Sequence, residues 1–129
     1  MEILLTITSE QIANLMTTAI ESGDPVTTAA RGGWCSAIQR RSGPAVESHL
    51  WYSEPGFWPG DFAVEVSELD EDTGETTKHT LDARAMRRGL MCMAMRFPKA
   101  FAQILGDDID APCADLFLQA CVFGEEKYA

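Results

Sequence analysis

The order of hydrophobic patterns along the chain predicts an α+β fold, an antiparallel β-sheet with three to four helices packed on one face. Three observations lead there. Residues 61–69 alternate, with Phe62, Val64 and Val66 set against Asp61, Ala63, Glu65 and Ser67, which is the period-two signature of a half-buried strand. Residues 9–22, 82–96 and 112–123 instead repeat their apolar side chains at helical spacing. The later helical patterns also follow one another without intervening strands, against an alternating, parallel β/α architecture. With 129 residues the chain fits a single domain, 1–129, that buries roughly two thirds of its unfolded surface and needs no metal or disulfide staple.

Taken in order, Ile3, Leu4, Leu5 and Ile7 read as a first strand over residues 2–7. Thr8 and Gln11 have the spacing of a capping box, and Ile12, Leu15, Met16, Ala19 and Ile20 form the apolar face of a helix near 9–22. Gly23 suits the position after that helix, and Asp24-Pro25 blocks its continuation. Residues 26–33 are compatible with a loop or a short helix. Residues 34–40 and 46–52 read as strands separated by the turn sequence Arg41-Ser42-Gly43-Pro44. Two prolines and two glycines make residues 53–60 irregular. After the strand at 61–69, residues 70–74 form a hairpin loop and 75–80 return as a polar edge strand carrying Lys78. A helix starts near Leu81 or Asp82, with Met86, Leu90, Met93, Ala94 and Phe97 as its stripe, and Pro98 interrupts it. A short helix through Phe101, Ile104 and Leu105 ends at Gly106. Asp110 is placed to cap the last helix, which has Pro112 in its first turn, buries Cys113, Leu116, Phe117, Ala120 and Cys121, and stops at Gly124.

Charge is the strongest functional signal. Twenty acids face ten bases, a formal charge of −10. A surface of that sign disfavours direct contact with nucleic acid or an anionic membrane and attracts a basic partner. Residues 61–82 hold eight acids against Lys78 alone, so −7 of the −10 lies there. If Asp61, Glu65 and Glu68 share a sheet face with Asp70, Glu71, Asp72 and Glu75, the hairpin presents a negative ridge that imitates a phosphate backbone to a basic protein. The alternative is a solvated hairpin that only aids solubility. The string DEDTGE lacks the twelve-residue ligand spacing of a calcium loop.

Aromatic residues supply a second candidate. Trp34, Trp51, Tyr52, Phe57 and Trp58 lie close together, with Trp51 and Trp58 flanking the irregular stretch, where exposed tryptophans would anchor an interface. The alternative is that they fill the core. Arg84, Arg87 and Arg88 sit on one helix near Asp82 and the acidic hairpin, which suggests surface ion pairing. Cys35, Cys92, Cys113 and Cys121 form no CxxC and read as free thiols, buried on helical faces for the last three, with no disulfide and no metal. His49 and His79 are isolated, and no nucleophile elbow, phosphate loop or dinucleotide fingerprint is present, so neither catalysis nor a cofactor is expected. Residues 1–8 are too short and too acidic for a secretory leader, and no apolar run is long enough to span a membrane.

Both ends of the chain resemble a set of small acidic proteins encoded by bacteriophages and prophages. The opening, ITSEQIANLMTTAIESG with Gly33-Trp34 after it, is similar to that set's "I..LM.TA.EGG..YW" pattern, through Thr17, Thr18, Ala19, Ile20 and Glu21. The segments GLMCMAMRFPKAFAQIL and DAPCADLFLQACVFGEEKY are similar to its closing pattern, through Asp115, Phe117-Leu118-Gln119 and Phe123-Gly124-Glu125. Residues 24–33 read as an insertion, and Ser22 replaces a glycine. The resemblance implies phage origin and action in the host cytoplasm, and it carries no activity with it. Joined to the charge, it leads to an expected function: a stoichiometric inhibitor of a host nucleic-acid-targeting defence, of anti-CRISPR or anti-restriction type. Such a protein would bind the basic surface of a nucleic-acid-binding effector through Asp61, Glu65, Glu68, Asp70, Glu71, Asp72 and Glu75, with Trp51 and Trp58 beside them. The rival readings are a phage accessory protein working through helix-face contacts in an oligomer, and a small ligand-binding domain or enzyme. A closed pocket holding His49 or His79 beside a carboxylate would favour the last of these.

Overall fold

A computed structural model of the chain describes residues 6–21 and 33–128. The polypeptide runs through helix α1 (Ser9–Glu21), strand β1 (Cys35–Ser42), a 3-10 turn (Trp51–Ser53), strands β2 (Ala63–Leu69) and β3 (Thr76–Asp82), and helices α2 (Ala83–Arg96), α3 (Pro98–Leu105) and α4 (Ala111–Phe123). The fold is α+β, as the grouped patterns predict. Both strand pairings are antiparallel and the sheet order is β1-β2-β3, so among the described residues β2 is central and β3, with Lys78, is an edge. The expected strand at 2–7 falls mostly outside the described residues, and Thr6 and Ile7 carry no strand. Gly23, Asp24-Pro25 and residues 26–32 also lie outside them.

Local chemistry explains the boundaries. The Thr8 backbone N–H donates to Gln11 Oε1 at 2.8 Å and the Gln11 N–H donates to Thr8 Oγ1 at 3.1 Å, so the capping box that opens α1 is formed. Asp82 Oδ1 accepts from the Ala85 N–H and Asp110 Oδ1 from the Cys113 N–H, both at 2.9 Å, and these caps start α2 and α4. Gly124 ends α4 in the left-handed region at φ 73°, where a side chain would be strained. β3 continues to Asp82, two residues beyond the expected end, because Val64 pairs with Leu81 and both are fully buried.

The expected strand at 46–52 is not formed. Those residues run through bends into the 3-10 turn, and β2 takes β3 rather than that segment as its second neighbour. The reason is aromatic packing. Trp51, Tyr52, Phe57, Trp58 and Phe62 collapse onto one another with ring centroids 4.9–6.0 Å apart, and Trp58 Nε1 donates to the Tyr52 carbonyl at 3.0 Å. Fully buried Val64, Val66 and Leu81 line the sheet side of the core, and Leu15, Met16, Met93, Ile104, Phe117 and Leu118 the helical side. Ala94, expected in the α2 stripe, is exposed instead. Helices α2 and α4 meet so closely at Gly89 that a Cβ there would lie 2.7 Å from the Cys121 backbone.

Candidate functional site

The hairpin loop is built before it is charged. The Asp70 N–H donates to the Glu75 carbonyl at 2.9 Å and the Gly74 N–H to the Asp70 carbonyl at 2.7 Å. Asp70 Oδ1 accepts from the Asp72 N–H at 2.9 Å, Thr73 Oγ1 accepts from the Glu75 N–H at 3.2 Å, and Gly74 turns the chain at φ 75°. These bonds order the tip, and Asp70, Glu71, Asp72 and Glu75 are all exposed on it. Among the described residues none of the four takes part in an ion pair.

The other acids do not join them in a ridge. Strand parity puts Glu65 on the open face and Glu68 on the face that carries Val64 and Val66. Glu65 is met by Arg41 and by Lys78, the latter at 3.3 Å, and the Arg41 hydrogen bond holds its carboxyl below the usual range. Glu68 is 6% exposed. Lys127 Nζ donates to its Oε2 at 2.6 Å, the Tyr128 hydroxyl donates to the same oxygen, and His79 Nε2 lies 2.9 Å from its Oε1. Burial raises this carboxyl, but the Lys127, Tyr128 and His79 hydrogen bonds outweigh it and bring its pKa down to about 2. Asp61 is exposed but precedes β2, whose seven residues put it roughly 20 Å from the tip. The negative face is therefore a tip, residues 70–75, and the expectation that Glu65 and Glu68 share a face with it is corrected.

Trp58 is buried and Trp51 half-buried in the aromatic cluster, so they hold the 50–62 segment down rather than stand out as anchors. Trp34 is set apart from that cluster. Its Nε1 donates to Asp115 Oδ1 at 3.1 Å and its ring stacks on Tyr128 at 6.1 Å. Gln119, 1% exposed, accepts at Oε1 from the Lys127 and Tyr128 N–H groups at 2.9 and 2.8 Å and donates to the Tyr128 carbonyl. Together with Glu68 and His79 these contacts latch residues 124–128 over the end of the sheet. Sequence reasoning missed this latch, although the even numbering of Val64, Val66 and Glu68 carried its signal.

His79 does stand beside a carboxylate, but Lys127 and Tyr128 hold that carboxylate too, and a carboxyl titrating near 2 is a weak base. Among the described residues no group of three His, Cys, Asp or Glu side chains is placed to hold a metal ion. None of the four cysteines is in a disulfide, with Cys35, Cys113 and Cys121 buried and Cys92 half-buried. No helix among the described residues is long and apolar enough to cross a membrane.

On the far side, α2 shows a surface of opposite character. Arg84, Arg87 and Arg88 are exposed, and among the described residues they form no ion pair, contrary to the expected pairing with Asp82 and the hairpin. Asp82 is occupied as the α2 cap. Beside Arg87 a groove of about 260 Å³ is lined by Ile12, Trp58, Phe62, Met86 and Leu90. Compared with known protein families, curated proteins and solved structures, the chain matches no family model, no curated protein and no solved structure.

Proposed function

We propose that this is a non-catalytic binding protein that docks the tip of its β2–β3 hairpin onto a basic surface of another protein. The observation that carries the reading is the hydrogen-bonded tip, on which Glu71, Asp72 and Glu75 are exposed beside the turn-forming Asp70 with no cation paired to them among the described residues. Carboxylates held on an ordered turn lose little freedom on binding and act together on the approach of a positive surface. The phage resemblance gives this reading its specific form. The partner is a host nucleic-acid-targeting effector, and the tip competes for its nucleic-acid groove in the manner of an anti-CRISPR or anti-restriction protein.

The test is capture from bacterial lysate at low and high salt, followed by affinity measurement of the captured protein against a variant chain. Because Asp70 forms the turn, the variant reverses only Glu71→Lys, Asp72→Lys and Glu75→Lys, and circular dichroism checks its fold. The reading requires at least a tenfold loss of affinity and a flatter salt dependence. A folded variant with unchanged affinity and salt slope reduces the tip to a solvated loop.

A further inference from the structure

We infer that the outer face of α2, together with the groove beside it, docks an acidic, apolar-bearing segment of a partner protein, independently of the hairpin tip. Residues 83–106 hold five bases, Arg84, Arg87, Arg88, Arg96 and Lys99, and no acid, within a chain of net charge −10. Helical spacing brings Arg84, Arg87, Arg88, Met91 and Met95 to one exposed face of α2. Met91 is 65% exposed and Met95 80%, so two flexible apolar side chains stand in water between arginines. On the Arg87 side the face descends into the groove walled by Ile12, Trp58, Phe62, Met86 and Leu90. At about 260 Å³ the groove is smaller than the usual small-molecule site but has room for a leucine- or phenylalanine-sized side chain.

Charge complementarity sets the sign of the occupant, and the methionines and the groove set the rest. A nucleic acid would answer the arginines but leave Met91, Met95 and the groove unfilled, and it would meet the field of an acidic molecule. A second copy of α2 would oppose arginine to arginine. A second copy's hairpin tip carries threonines and acids but no large apolar side chain to enter the groove. An amphipathic helix with acidic flanks meets all three demands. From Arg84 to Met95 the face runs about 16 Å, the length of three helical turns.

The experiment uses the full chain and three probes. One is a synthetic helical peptide of about four turns with leucines on one face and glutamates elsewhere. The second has the same composition with the leucines scrambled around the helix, and the third is a duplex DNA oligonucleotide. Calorimetry gives the affinities, and amide chemical-shift mapping together with tryptophan fluorescence gives the location. The expected result is binding of the amphipathic peptide at residues 83–95 and Trp58, at least tenfold tighter than the scrambled peptide. Met91→Glu with Met95→Glu, and separately Arg87→Glu with Arg88→Glu, should each weaken it at least tenfold. These side chains are exposed, so the variants keep the fold. The hairpin variant Glu71→Lys, Asp72→Lys, Glu75→Lys should bind the peptide undiminished, which separates this surface from the tip. Equal binding of the two peptides, shifts that map elsewhere, or preferential binding of the duplex at α2 overturns the inference. So does a dimer of the free chain that the Met91→Glu, Met95→Glu variant dissociates.

Discussion

Glu68 shows how far a single carboxylate can be moved from the role its neighbours in sequence suggest. It belongs to the most acidic stretch of the chain, yet strand parity turns it inward to Lys127, Tyr128 and His79. Its carboxyl titrates at about 2 in the folded chain against an ordinary value of 4.5. A depressed pKa contributes stability that is fully present above the unfolded value and is lost as pH falls through the folded one. We expect Glu68 to contribute on the order of 2 kcal/mol at neutral pH, allowing for the exposure of Lys127, and to lose it between about pH 4.5 and pH 2. Urea unfolding across that range should show Glu68→Gln less stable at pH 7, with the two curves converging in acid. Parallel curves would mean that the latch contributes nothing through its charge. The thiols give a second residue-level outcome. Burial pushes Cys113 up to about 11 and raises Cys121 as well, so at pH 8 half-buried Cys92 should react first with a thiol reagent. The remaining three should react only as the chain opens, and all four after denaturation without reductant. Four fast native thiols would contradict this packing.

At the scale of elements, caps and parity were readable, and long-range competition was not. Thr8, Asp82, Asp110 and Gly124 each terminate a helix through a bond reaching only a few residues, so their roles follow from local spacing. Asp110→Ala should therefore cost about 1 kcal/mol, measured by thermal or urea unfolding. Residues 46–52 alternate well enough for a strand, but Trp51 packs its ring on Tyr52, Phe57 and Trp58, and that tertiary packing overrides local strand propensity. Gly89 makes a related point inside α2. By propensity alone alanine would improve a helix at this position by about 1 kcal/mol. A Cβ there would stand 2.4 Å from Cys121 Sγ and 2.7 Å from its backbone, so Gly89→Ala must push α2 and α4 apart. The expected net effect is a loss on the order of 2 kcal/mol. A variant as stable as the parent would show that the helices separate without strain.

Over the whole molecule, the net charge of −10 is not spread evenly. Glu65 and Glu68 are neutralised in place, four exposed acids without an ion pair among the described residues crowd into residues 70–75, and the bases of residues 84–99 occupy α2 and the start of α3. A molecule with this excess repels itself when compact, and salt relieves the repulsion within about 8–10 Å. The melting temperature should therefore rise from low ionic strength to physiological salt. The rise should be smaller in the Glu71→Lys, Asp72→Lys, Glu75→Lys variant, which carries less excess charge. A salt response equal in both chains would place the repulsion somewhere other than the tip.

By itself the sequence determined the α+β class, the β2–β3 hairpin, the positions of the helices and the sign of the charge. These rest on periodicity, capping and composition, whose interactions reach only a few residues. Only the tertiary structure decided which acids remain free. The partners of Glu68 are His79, eleven residues away, and Lys127 and Tyr128, about sixty, and local pattern does not see that far. The same holds for Trp34, drawn to Asp115 and Tyr128, and for Trp58, drawn into the aromatic cluster. Arg84, Arg87 and Arg88 form no ion pair among the described residues, and their nearest acid in sequence, Asp82, caps the helix that carries them.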